Sequence, residues 1–452
     1  MKELTTPDII NMLIISIPAF LLIYSYLGYP LLLILASYFK ERNKEHFEKA
    51  NDDLLLNHSI TVIFTFVSED IEVLVKRVKN ILQCNNPCMS LQILGIGDGP
   101  DTAMLTEKLN NYIWTNGSET GNTKLKDQKH FSTLFHSMSR RQGKTSAQNI
   151  GVKLSTGDII LFTDANSRFD RQAIKEIALP LLLKDNHPIN ENNDQIDDKN
   201  DKITRALPAY KTGITVGMLV YEGKGTENQY WTLENRIKAL ESTICTTIGA
   251  NGALYGMRKN DYIFLPAHSM SDLTQPLLQL IINKLPSTFI QSAKVYEETP
   301  HQYISTYLRK KRITARALKS IPLLIPLLNP FTGLKQTGNN QRPDSRTLWA
   351  CLFFVSHKVI RWATSLLILL SATGTFLIIS DSGLLKEVAV AITLILATLK
   401  IVIHYKIDLP VFRTAAYVYL TLKAQLWAYY ATIAGINTSV WAPLKDSFLN
   451  DD

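Results

Sequence analysis

The chain predicts an α/β domain built on a mostly parallel sheet and held between apolar segments at both ends. Three observations predict it. Between about residues 59 and 242, short β-branched and apolar runs alternate with segments of helical spacing. One run, Ile159-Ile160-Leu161-Phe162-Thr163, ends abruptly in Asp164-Ala165-Asn166, as a buried strand does at the rim of an open sheet. Long apolar stretches lie outside this region on both sides.

The first of these stretches, Ile9 to Phe39, is interrupted only by Pro18, Gly28 and Pro30. It is too long for the apolar region of a signal peptide. It reads as one transmembrane helix over Ile9 to Leu27, or as a longer kinked span to Tyr38. Lys40, Arg42 and Lys44 follow it, and this bias places the next domain in the cytoplasm.

The middle of the chain supplies the sheet. Ser59 to Val67 is the first strand and Glu69 to Leu82 a helix. Leu91 to Gly97 is the second strand, closed by Asp98-Gly99, and Phe131 to His136 the third. Lys144 to Leu154 is a helix leading into the strand that ends at Asp164, and Arg171 to Leu183 is the next helix. A polar insertion, 186–212, is Asn- and Asp-rich over Asn186 to Asp201. Gly213 to Tyr221 resumes the sheet, and Tyr230 to Ser242 is helical.

Leu323 to Leu328, set among Pro322, Pro326 and Pro330, is too short to span and is expected at the bilayer interface. Arg361 to Ile379, Val388 to His404 and Val411 to Ala434 are three candidate spans. Asp381 and Glu387 separate the first two; Lys400, His404, Lys406 and Arg413 separate the last two, again placing basic loops inside. The expected domains are a transmembrane segment (1–40), a cytoplasmic domain (41–320), an interfacial linker (321–347), C-terminal spans (348–440) and a tail (441–452).

Composition narrows the function. A length of 452 residues exceeds one ordinary domain. The net charge is +8 and the pI about 9.0. The basic residues do not form one tract but cluster beside apolar spans, as at Arg309 to Arg312. This favours a bilayer over nucleic acid as the partner. Cys84, Cys88, Cys245 and Cys351 make no zinc set.

At the rim of the sheet, Asp164 and Asn166 both offer oxygen to a hard divalent cation, Mg²⁺ or Mn²⁺, holding a diphosphate. Each candidate has a plainer rival. Asp164 could cap a helix, Asp98 could serve a turn, and Asp272 could open the helix from Leu273. Lys144 could be a solvated first-turn lysine, and Arg309 to Arg312 could bind anionic lipid. His268 reads as a loop histidine, and Glu297-Glu298 carries no assigned chemistry.

Taken in order, Glu69, Asp98-Gly99, Gly143-Lys144, Thr163-Asp164-Ala165-Asn166, and Gly249-Ala250-Asn251-Gly252-Ala253-Leu254-Tyr255 resemble family 2 glycosyltransferases of GT-A fold. Tyr26-Leu27-Gly28-Tyr29-Pro30 and Ser356-His357-Lys358 resemble the membrane-embedded branch related to cellulose and hyaluronan synthases. The resemblance implies that Glu69 and Asp98 hold the nucleoside, that Lys144 lies near the nucleotide, and that Asp164 with Asn166 holds the metal. It implies an acceptor side at Asn251 and Gly252, and Asp272 as the catalytic base. Arg312 and Lys310 fall where the family steadies the diphosphate.

Thr65-Phe66-Val67-Ser68, Ser271, Arg309 and Ile313 depart from the family pattern. The function so implied is inverting transfer of a sugar from a nucleotide-sugar, a UDP-sugar in the first place, to a growing polysaccharide or lipid-linked glycan. The setting implied is the inner membrane, with polysaccharide export or assembly proteins as partners. A second reading stays open: a degenerate nucleotide-binding regulatory subunit of a polysaccharide synthesis complex.

Overall fold

A computed structural model describes residues 6–41, 53–112, 131–183, 212–223, 226–298, 303–329, 345–380, 384–405 and 410–438. Arg42, Lys44, Asp381, Lys406, Pro330, the polar insertion up to residue 211 and the tail at 441–452 lie outside them.

Eight strands form one sheet: β1 (Ser59–Phe66), β2 (Ser90–Gly97), β3 (Phe131–Ser137), β4 (Ile159–Asp164), β5 (Arg168–Phe169), β6 (Ile214–Glu222), β7 (Tyr255–Arg258) and β8 (Ser287–Glu298), in the order β3-β2-β1-β4-β7-β6-β8-β5. The first four are mutually parallel, and β6 and β8 pair in parallel; β7 runs antiparallel to β4 and β6, and β5 antiparallel to β8. Parallel strands need covered faces, and β1 and β4 are buried along nearly their whole length. The sheet is mixed rather than purely parallel. The short strands β5 and β7 escape a periodicity reading because each is too brief to repeat.

The helices that position the site are α4 (Ile71–Leu82), α6 (Lys144–Leu154), α8 (Thr226–Ile244), α9 (Ser271–Asn283) and α10 (Tyr303–Ser320), with α5 (Ala103–Asn110) and α7 (Ala173–Ala178) covering the flanks. One face of the sheet buries Val62, Phe64, Ile93, Leu161 and Leu254 against Leu74, Val78 and Ile81 of α4. The other buries Ile63, Leu94, Ile160 and Phe162 against Ala147 and Val152 of α6, with Phe162 stacked on Tyr255. At about 1.5–3 kcal/mol for each large side chain fully buried, these two layers dominate the stability of the domain.

The N-terminal helix runs as α1 (Thr6–Ile23), a π turn (Tyr24–Gly28) and α2 (Tyr29–Glu41), so it extends through Pro18 and Gly28 to Lys40. A short α3 (Asp53–Leu56) precedes β1. The C-terminal part comprises α11 (Ser345–Phe353), a π turn (Phe354–Val359), α12 (Ile360–Trp362), α13 (Thr364–Ile379), α14 (Leu385–His404) and α15 (Pro410–Ile433).

Among the described residues, two helices are long and apolar enough to cross a bilayer, Ile9–Lys40 and Leu385–His404, each with a mean hydropathy of 2.0. Ser345–Trp362 and Thr364–Ile379 make a third if the pair, bent by 62°, is one span. The expected span at Val411 to Ala434 is not of this kind. It carries Arg413, Lys423 and Gln425 and lies along α10, where Ala428 packs on Ala315 and Leu318.

The Leu323 to Leu328 segment is a 3-10 turn (Ile321–Leu327) whose Leu324 and Leu327 are buried beside Leu277 and Leu280 of α9. Where α1 crosses α13, a Cβ on Gly374 would lie 2.8 Å from Ile15 and 2.9 Å from Ile14. Only a glycine lets these two apolar helices meet so closely.

Candidate active site

The candidate residues gather beyond the carboxyl ends of β1, β2 and β4, where an open α/β sheet leaves a crevice. Gly252 marks the centre. A Cβ built on it would lie 2.6 Å from Lys144 Nζ, 3.0 Å from Asp164 Oδ2 and 3.4 Å from Asp272 Oδ2. Four residues scattered over more than a hundred positions thus meet at one point, and a side chain on Gly252 would displace the Lys144 ammonium from it. Replacing Gly252 with Ala is expected to push Lys144 and the carboxylates out of place. Activity should fall by about 100-fold, the usual result of an ångström of misplacement, while the melting temperature stays near wild type.

Asp164 ends β4, and its Oδ1 is ion-paired with Lys144 Nζ at the first turn of α6. Burial works against its charge, but Lys144, Arg312 and Arg309 together hold the Asp164 carboxyl below the ordinary carboxylate value. Arg309, Arg312 and Arg316 follow one another at i, i+3 and i+7 along α10 and therefore share a face. Burial pulls Arg312 down to about 10, with neighbouring Arg316 adding to the effect while Asp164 and Asp272 oppose it. Arg316 donates to Thr145 Oγ1 and to Ser269 O, both at 2.6 Å, which ties α10 to the starts of α6 and α9.

Lys310 and Lys311 lie on another side of α10 and face α15 and α8. Lys310 donates to Tyr417 Oη at 2.6 Å and stands 4.0 Å from Glu227. Lys311 sits 3.6 Å above the Trp427 ring. Lys310 thus points to Tyr417 and Glu227, and Arg309 and Arg312 are the members of the run that act on Asp164. The spacing explains this: one residue further along a helix rotates a side chain by about 100°.

Three other candidates are spent on shaping the main chain. Asp98 is 3% exposed. Its carboxylate accepts the Gln142 N–H at 2.7 Å and the Gly143 N–H at 2.9 Å, folding the loop that delivers Lys144. Glu69 Oε2 accepts the N–H groups of Val67 and Ser68 at 2.6 and 3.1 Å, closing the turn after β1. Asn251 is buried; it donates to Gly217 O at 2.7 Å and accepts from Leu254 N at 3.0 Å. Asn166 is exposed two residues beyond Asp164.

Two residues that a sequence reading passes over complete the site. Arg77, buried in α4, donates to Ser167 O at 2.8 Å and to Thr163 Oγ1 at 2.7 Å, with its guanidinium 3.9 Å over the Phe169 ring. It clamps the turn that carries Asp164. Burial draws it down to about 9. Its signal was present: Leu74, Arg77, Val78 and Ile81 form one apolar stripe with an arginine inside it. Arg77→Met is expected to cost about 3–5 kcal/mol, the range for breaking a buried polar cluster from one side, read as a shift in the denaturant midpoint.

The second is Glu297 at the end of β8. Its carboxylate accepts from Ser167 Oγ at 2.7 Å and Tyr221 Oη at 3.1 Å. Burial and the nearby Asp164 raise its carboxyl, and Arg309 counters them.

Among the described residues, no group of three or more His, Cys, Asp and Glu side chains is arranged for a metal. An all-protein cage does not fit. Asp164, partly exposed at the end of β4, fits an ion completed by phosphate oxygens and water, which is the habit of Mg²⁺.

No family model matches the chain. The structure is similar to that of mannosyltransferase PcManGT from Pyrobaculum calidifontis in complex with GDP-Man and Mn²⁺. The TM-score is 0.56 and the identity 13%, covering 94% of this chain and 100% of that one. A structure of GalNAc-T7 with UDP, GalNAc and Mn²⁺ aligns over 54% of this chain and 43% of that one, at 14% identity and a TM-score of 0.36. In sequence, 123 residues are 24% identical to probable N-acetylgalactosaminyltransferase 7 of Caenorhabditis elegans. The matched stretch is 27% of this chain and 18% of that relative. The sheet order and the likeness to the mannosyltransferase show that the chain has a GT-A-like α/β fold.

Proposed function

We propose that the protein is a membrane-bound inverting glycosyltransferase that uses a nucleoside diphosphate sugar. The observation that carries this reading is the meeting of Asp164, Lys144 and Asp272 around Gly252, with Arg312 facing both carboxylates. The two carboxylates have different surroundings and suit different work. Asp164 stands among Lys144, Arg309 and Arg312, where the charge of a departing diphosphate is best stabilised. Asp272, in the first turn of α9, comes to the same point at Gly252 and would take the proton of an incoming sugar hydroxyl.

One displacement at the anomeric carbon then forms the new glycosidic bond, breaks the bond to phosphate and inverts the configuration. The hydroxyl proton goes to Asp272. The nucleoside diphosphate leaves toward Arg312 and Arg309, whose planar forks suit phosphate oxygens. A bound Mg²⁺ or Mn²⁺, held by Asp164 with Asn166, would neutralise phosphate charge. The fold shared with a mannosyltransferase that binds GDP-Man and Mn²⁺ supports the donor class. The apolar helices 9–40 and Leu385–His404 support a membrane anchor, which we place in the inner membrane with the sheet domain in the cytoplasm on the charge bias of the sequence. The acceptor in this proposal is a growing polysaccharide or lipid-linked glycan, with export or assembly proteins as partners, as the sequence resemblance implies.

The test is nucleotide release by the full chain in nanodiscs, across UDP- and GDP-sugars with Mg²⁺ or Mn²⁺. Release with one donor, a UDP-sugar by the sequence reading, is expected. Tight nucleotide binding with no release, even when membrane lipid extract supplies acceptors, overturns the enzyme reading in favour of a regulatory subunit.

A further inference from the structure

Two motifs from the terminal segments have no part in the site above, yet they meet. The N-terminal π turn (Tyr24–Gly28) and the C-terminal π turn (Phe354–Val359) dock on each other. Tyr24 Oη lies 2.9 Å from Ser356 Oγ, and Ser25 Oγ donates to Ser356 O at 2.8 Å. Tyr29, the first residue of α2, and His357 of the second turn then reach α8. There Tyr29, His357, Glu234, Lys238, Glu241 and Arg361 form a buried polar cluster.

Tyr29 Oη donates to Glu241 Oε1 at 2.6 Å, and His357 Nδ1 lies 2.6 Å from the same oxygen. His357 Nε2 is 3.1 Å from Glu234, which also takes Arg361 at 2.9 Å and Lys358 at 3.3 Å. Charges are costly to bury and can often be replaced by apolar side chains without loss of stability. A cluster of this size therefore invites a reason beyond cohesion.

The reason lies at its other end. Glu241 Oε2 accepts the Ile248 N–H at 3.0 Å, and Lys238 Nζ donates to Ala250 O at 3.3 Å. Ala250 N donates in turn to Asp272 O at 2.6 Å. The loop from Ile248 to Gly252 is thus held from one side by α8 and from the other by the turn that bears Asp272. Gly252 is the residue around which Lys144, Asp164 and Asp272 converge.

We propose that Glu241 and Lys238 are positioning residues for this loop, and that Tyr29 and His357 set Glu241, so that docking of the two terminal segments on α8 registers the loop against Asp272. The proposal rests on the glycosyltransferase reading for its kinetic consequences only. The loop geometry is a separate matter and is tested separately.

The experiment uses the full chain in nanodiscs and compares wild type with Tyr29→Phe, Glu241→Gln, Lys238→Met and Lys238→Arg. Tyr29→Phe deletes one oxygen and keeps the ring packed on Phe353. Amide exchange at Ile248 and Ala250 is expected to rise about tenfold in Tyr29→Phe, Glu241→Gln and Lys238→Met, while β1 and β2 amides are unchanged. For the same variants kcat is expected to drop about tenfold with donor KM within about twofold, as misplacement of a reacting group predicts. Lys238→Arg, which keeps the donor, is expected to recover part of both.

Should Glu241→Gln not fold, Tyr29→Phe carries the test. Unchanged exchange at Ile248 and Ala250 in Tyr29→Phe overturns the proposal, as does a rise spread evenly over the whole domain. If wild type turns over no donor, the enzyme reading fails, and the exchange arm still decides whether the terminal segments hold the loop.

Discussion

Asp272→Asn is expected to lower sugar transfer by about 10²–10⁴-fold, the contribution of a positioned general base, while nucleotide-sugar binding stays within about twofold of wild type. The reasons are local. The helix starts after Met270, which provides the N-cap conformation, so Asp272 is not needed as the cap. Its backbone oxygen, not its side chain, holds Ala250. The isosteric amide preserves both the helix and the loop, and removes only the ability to accept a proton. The carboxylate also stands at the N-terminal end of α9, with Arg312 and Arg316 near enough to feel its charge. Transfer rate and donor affinity, measured on one preparation, give the answer. A variant that transfers at the wild-type rate removes Asp272 from the mechanism.

Asp164→Asn is expected to act on both binding and rate, with a loss of about 10²–10³-fold, comparable to removing a principal electrostatic stabiliser. The same change takes away the carboxylate that Lys144, Arg309 and Arg312 share. Stimulation by Mn²⁺ should vanish, because the amide oxygen is a far weaker ligand for a hard cation. Nucleotide without metal should bind at least as well as before, since the site has become more positive. Mn²⁺ binding followed by electron paramagnetic resonance, with and without nucleoside diphosphate, separates these effects. Persistence of full Mn²⁺ binding in the variant would place the ion elsewhere.

These two carboxylates, and the lysine between them, were legible from the order of residues. Asp164 is announced by a buried strand that stops at an acid, because a strand interior has no room for an unpaired carboxylate and the rim does. Lys144 is announced by a glycine that opens a helix. The parallel half of the sheet was legible for the same reason: β1, β2 and β4 are buried along nearly their whole length and are therefore rich in apolar residues. Glu297 was not legible. It ends a strand whose alternation is broken by a register shift against β6 between Gly217 and Met218. Arg77 was partly legible as an arginine within an apolar stripe, but nothing in the spacing says which carbonyls it will meet.

By itself, then, the sequence determined the αβ alternation, the apolar ends and the rim at which β4 stops in Asp164, because each of these follows from short-range periodicity and from the cost of burying charge. Only the tertiary structure decided how the basic run on α10 divides, with Arg309 and Arg312 toward the carboxylates and Lys310 and Lys311 toward α15. It alone showed that Asp98 and Asn251 are spent on the main chain, and that Tyr29 and His357, 328 positions apart in the numbering, share one oxygen of Glu241. Such choices depend on which groups meet across long stretches of chain, and hydrogen bonds and ion pairs are set by distances of a few ångströms that no local pattern encodes.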